Sequence, residues 1–178
     1  PVIDGTITGD GTDWDSDDLA VDDPLGDTAW GPNDIDNLWV TYDAEGLYVG
    51  VRYQVSDNAM LVLIDAGTGT GASNINTLDW YARNFNFPDS IRADYIIANW
   101  NGSPLGVRRI TSNTTTVDVT SECQTFNGSK GNFFYEAEVK IPWNTIYGLG
   151  AGLVKPGALV RVVTLIAGGD HWNGPDSA

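Results

Sequence analysis

From Asn37 onward the chain alternates apolar and polar residues with a period of two, and this alternation limits the fold class more than any other feature. Leu38, Val40 and Tyr42 alternate with Trp39 and Thr41, and Asp43-Ala44-Glu45-Gly46 then supplies a turn. Leu47, Val49, Val51, Tyr53 and Val55 follow on one face, with Tyr48, Gly50, Arg52 and Gln54 on the other. Successive strand residues point to opposite faces, so the pattern predicts a half-buried antiparallel hairpin. The run from Ala59 to Ile64 is apolar almost throughout and reads as a strand buried on both faces, ending in Asp65 and a Gly-rich loop over 66–71. Further strands are expected over 92–100, 105–110, 114–120, 133–141 and 158–167, with turns at Asn101-Gly102, Asn127-Gly128 and Lys130-Gly131. A short helix is expected over 75–81 and one helical turn over 143–147. With about eight to ten short strands between such turns, the chain reads as all-β, an antiparallel β-sandwich of jelly-roll type. It is expected to be a single domain spanning 1–178, with no internal repeat.

The segment before these strands is different in kind. Residues 1–36 hold eleven Asp and no Lys or Arg. Residues 9–37 read as ordered loop rather than disorder, because Trp14 and Trp30 are embedded there and disordered acidic tails are poor in aromatics. The whole chain carries a formal net charge of -15. Such a surface repels a phosphate backbone, so nucleic acid is excluded as a partner. No run approaches the roughly 18 apolar residues of a membrane span. The single Cys123 leaves no internal disulfide and is expected to be a buried small hydrophobe. The chain opens at Pro1 without a methionine and stops in a Gly/Asp/Pro-rich stretch over 170–178. Both features read as those of a domain excised from a longer exported protein, extracellular or at the cell surface, with further domains of the same chain as neighbours.

No catalytic centre is expected. One His and one Cys leave His171 as the sole imidazole, in a loop beside Trp172. The carboxylates sit in Gly/Asp loops rather than in the apolar pockets that would raise a pKa for glycoside hydrolysis. Calcium is the expected cofactor, and no organic cofactor is expected. Asp13, Asp15, Asp17 and Asp18 cluster in one loop, with Asp34 and Asp36 ahead of the first strong strand, and a hard cation takes such oxygens. The Asp13-x-Asp15-x-Asp17 run opens like an EF-hand loop, but Pro24 stands where the closing Glu would be. Sugar rings stack on Trp and Tyr while their hydroxyls meet polar side chains. Trp80, Tyr81, Trp100 and Trp172 are the loop-borne candidates, with Arg83 and Asn84 beside the first two. Trp39 and Trp143 are assigned to core packing. Asn101, Asn113 and Asn127 begin glycosylation sequons at no more than the chance frequency.

Several motifs together resemble a known family. Val2-Ile3-Asp4-Gly5, Trp14, Leu38-Trp39-Val40-Thr41-Tyr42-Asp43, Leu47-Tyr48-Val49-Gly50-Val51, Leu63-Ile64-Asp65 and the run from Tyr135 to Trp143 look like the family-9 carbohydrate-binding modules. The resemblance covers most of the chain. It implies a jelly-roll-like sandwich with bound calcium and an aromatic sugar site. Trp172-Asn173-Gly174-Pro175 resembles the family's Trp-x-x-Pro stacking loop. The family's other stacking Trp has its place around Val55, where this chain has none, and its sugar-binding acid is replaced by Leu61. Relatives of this sandwich include b-type cytochrome domains that hold haem through Met plus His or Lys, and this chain has one Met, Met60, and one His, His171. The expected function is therefore a non-catalytic module that binds a neutral polysaccharide or oligosaccharide and holds calcium. A structural or adhesive surface domain is the alternative, and a haem domain a minor one.

Overall fold

A computed structural model describes residues 1–148, 157 and 159–168 of the chain. Ten strands are found among them: β1 (Leu19–Asp22), β2 (Asp34–Tyr42), β3 (Gly46–Gln54), β4 (Ala59–Asp65), β5 (Tyr95–Trp100), β6 (Gly106–Ile110), β7 (Thr116–Asp118), β8 (Gln124–Gly131), β9 (Phe134–Pro142) and β10 (Arg161–Ala167). One helical turn, α1 (Trp143–Tyr147), follows β9. The strands form two antiparallel five-stranded sheets, in the orders β1-β2-β3-β9-β8 and β10-β4-β5-β6-β7. The protein is an all-β sandwich. No described helix is long and apolar enough to cross a membrane.

The alternation read from the sequence builds the interior. Leu47, Val49, Val51 and Tyr53 of β3 face Met60, Val62 and Ile64 of β4 in one cluster between the sheets, joined by Val139 and Ile141 of β9. The opposite faces are not left to water. In the second sheet, Leu61, Leu63, Ile96 and Ala98 lie beneath Ala72, Ile75, Leu78 and Tyr81 of the long β4–β5 connection. This cover explains why β4 is apolar on both faces. In the first sheet, Trp39 and Tyr48 are buried under Ile7 and Trp14 of the N-terminal segment. The hairpin expected to be half buried is thus covered on both sides. Gly50 makes room for that cover, since a Cβ there would stand 3.0 Å from the Ile7 side chain and 3.1 Å from the Trp14 ring.

Several local expectations differ from the structure. Residues 75–81 form turns rather than a helix. The Asn74 side chain accepts from the Asn76 N–H at 2.7 Å, and the Asp79 N–H donates to Thr114 rather than to a preceding turn. Asn127-Gly128 and Lys130-Gly131 lie inside β8, and the chain reverses instead at Asn132-Phe133, whose φ values of 53° and 66° suit a tight hairpin of primed type. The Asp-rich region is not all loop. Residues 16–18 make a 3-10 turn and β1 pairs with β2. The expected strand over 114–120 contracts to β7.

Candidate functional site

The acidic N-terminal segment is folded by its own carboxylates. Asp15 caps the 3-10 turn, accepting from the Asp17 N–H at 3.2 Å, and Asp18 accepts from the Asp15 N–H at 3.0 Å. Asp17 is exposed. Asp34 is buried and accepts from the Gly26 N–H at 2.5 Å. Asp36 is half-buried, and burial, with the negative charges of Asp22, Asp34 and Asp23 added, raises its carboxyl above the usual range against the pull of Arg52. Of the five expected metal ligands, only Asp13 joins other carboxylates closely enough to share one ion among the described residues. Its companions are Asp4 and Glu138, with one oxygen of each within 4.8 Å of the others.

Glu138 is the centre of this group. It lies on the outer side of β9, fully buried, and takes the N–H groups of Asp4, Gly5 and Thr6 on one oxygen and the Trp14 indole N–H, at 2.8 Å, on the other. Burial raises its carboxyl above the usual glutamate range, and the charge of Asp13 adds to this. One oxygen of Asp13 accepts from the Val2 N–H, while the other is buried with no hydrogen-bond partner. A buried, orphaned carboxylate oxygen among three oxygen-only side chains fits a hard cation such as calcium. In the sequence Glu138 reads only as an outward-facing acid of an alternating strand, between Glu136 and Lys140, so nothing local marks it as buried.

The sugar-binding candidates are dispersed over the second sheet. Trp80 and Trp100 are both half-buried and pack on the outer face of that sheet. The Arg108 guanidinium lies 4.9 Å from the Trp80 ring centre. Tyr81 and Arg83 are buried, Tyr81 at the edge of Trp80 with centroids 4.6 Å apart, so neither presents a face to solvent. Trp172, the Trp-x-x-Pro loop and His171 lie outside the described residues. Met60 is fully buried in the interior cluster between the sheets. Trp39 and Trp143 are buried, as expected.

A trough at the other end of the sandwich was not read from the sequence. Two cavities, of about 440 Å³ and 570 Å³, lie on either side of α1 and share Asn144 as a wall. The first reaches Thr70, Arg109 and Tyr147; the second reaches Gln124, Lys140 and Trp143. Tyr147 stacks on Trp143 with centroids 5.9 Å apart, and exposed Tyr42 meets Trp143 edge-on at 6.5 Å. These residues are far apart in sequence, so no local motif marks them. No protein-family model matches the chain, and no curated protein matches it.

Proposed function

We propose that the protein is a non-catalytic carbohydrate-binding module for a neutral polysaccharide, stabilised by calcium and working outside the cell beside further domains of its own chain. The observation that carries the reading is the outer face of the second sheet. Half-exposed Trp80 and Trp100 share it, with Arg108 over Trp80. A half-exposed indole offers a sugar a C–H stacking surface, and a guanidinium near it a hydrogen-bond donor. Trp100 ends β5 opposite Ala59, which in turn lies opposite Ala167, the last residue of β10. The stacking loop that the family resemblance assigns to Trp172 follows β10 in sequence. A neutral glycan suits the charge, since a polyanion would meet a surface of net charge -15.

Calcium, when bound, would neutralise the carboxylates of Asp4, Asp13 and Glu138 and so fasten the N-terminal segment to β9. Stacking of one or two rings contributes about 1–3 kcal/mol each, by analogy with bases on aromatic side chains. With hydrogen bonds that exchange against water, affinities fall in the micromolar to millimolar range. Affinity electrophoresis with calcium present, against soluble glucans, xylans and mannans, tests the reading. Retardation by one neutral glycan, weakened in Trp100→Ala or Trp80→Ala at an unchanged melting temperature, is the expected result. No retardation by any glycan would transfer the assignment to a structural or adhesive surface domain, for which edge strand β8 with exposed Phe126 is the feature to examine.

A further inference from the structure

We propose that the trough across α1 is a second glycan site, distinct from the Trp100 end, which holds adjacent units of a neutral oligosaccharide on either side of Asn144. The proposal rests on the glycan-binding reading. The two ends are separated by about the length of β4, roughly 20 Å, since Trp100 pairs with its first residue, Ala59, and Tyr95, which lines the first cavity, with Ile64 near its end. Each cavity falls within the range of about 300–1,000 Å³ typical of small-molecule sites.

The chemistry of the walls selects the ligand. Arg109 stands beside Asp94 and the Tyr95 hydroxyl in the first cavity, and Lys140 is ion-paired to Glu45 in the second. No surplus positive charge is left for an anion. Asp94 is buried, and its oxygens accept from the N–H groups of Ala66, Thr68 and Gly71 and from the Thr68 hydroxyl, so it is committed to shaping the wall. Asn144 and Gln124 are exposed in the cavity walls, so their side-chain amides can reach a ligand. An amide offers a donor and an acceptor together, which is what a vicinal diol requires. Tyr147 in the first cavity and Trp143 in the second supply stacked ring surface along the row.

Isothermal titration of the full chain with maltohexaose, cellohexaose and xylohexaose, calcium present, tests the site. Asn144→Ala and Gln124→Ala are each expected to weaken the oligosaccharide that binds by roughly three- to tenfold at an unchanged melting temperature, the effect of one lost hydrogen bond. Binding that persists in Trp100→Ala is expected to weaken by the same roughly three- to tenfold when Asn144→Ala is added. A chain that binds one of these sugars with wild-type affinity in both Asn144→Ala and Gln124→Ala overturns this site and leaves the glycan reading standing. A wild-type chain that binds none of the three, nor any polysaccharide, overturns both.

Discussion

Asp43 shows how much one turn residue can organise. Its carboxylate accepts from the Glu45 N–H at 2.7 Å, the Gly46 N–H at 3.0 Å and the Tyr48 hydroxyl at 2.8 Å, while its carbonyl accepts from the Trp143 indole at 2.8 Å. Partial burial pushes the carboxyl up, but the Tyr48 hydroxyl and the two N–H groups outweigh this, and its pKa lies below the ordinary 3.8. A carboxylate whose folded pKa is depressed stabilises the fold above the unfolded value and loses that contribution as pH falls through the folded one. Asp43→Ala is therefore expected to destabilise the protein by about 1–2 kcal/mol at neutral pH. It should also flatten the loss of stability below about pH 4 in urea titrations, and an unchanged acid limb would refute the assignment. The turn itself was legible as Asp-Ala-Glu-Gly. The cluster of Asp4, Asp13 and Glu138 was not, because composition cannot tell an Asp that caps a turn, such as Asp15, from one that meets a buried partner, such as Asp13. Both sit in the same Gly/Asp context, and only the distant Glu138 separates them.

At the scale of elements, strands with strict alternation were legible and segments held by distant contacts were not. β3, β4 and β9 follow the pattern of their residues, whereas 75–81 gave a weak helical signal that packing on Leu61 and Leu63 overrode. The N-terminal segment is the element on which the calcium proposal can be measured. Ligand at a hundred times its Kd stabilises by about 2.7 kcal/mol. For a domain of this size that corresponds to a rise of roughly 5–10 °C in Tm. Scanning calorimetry with saturating calcium against chelator should show this shift in the wild type and lose it in Asp13→Asn. Equal transitions with calcium and with chelator in the wild type would remove the proposal.

For the whole molecule, the fold class was legible because a period of two cannot be satisfied by helices, while the covers over both sheets were hidden in segments without a period. The excess of 24 acidic over 9 basic residues has a global consequence. Like charges on a compact surface oppose folding, and the screening length falls from about 30 Å at 0.01 M salt to about 3 Å at 1 M. Tm is expected to rise between those sodium chloride concentrations, and a flat or falling Tm would show that the ion pairs outweigh the repulsion. The N-terminal cover also dictates an order of events in time. Its anchors lie far along the chain: the Gly5 N–H and Glu138 are 133 residues apart in sequence, the Trp14 indole and Glu138 124. This segment is synthesised before the strand that holds it and is thus among the last parts of the sandwich that can dock, and a topology of such distant partners folds slowly, on the order of milliseconds to seconds. Until β9 exists, the N–H groups of Asp4, Gly5 and Thr6 and the Trp14 indole have no Glu138 carboxylate to meet, and the run of aspartates around them favours a waiting chain that stays in water.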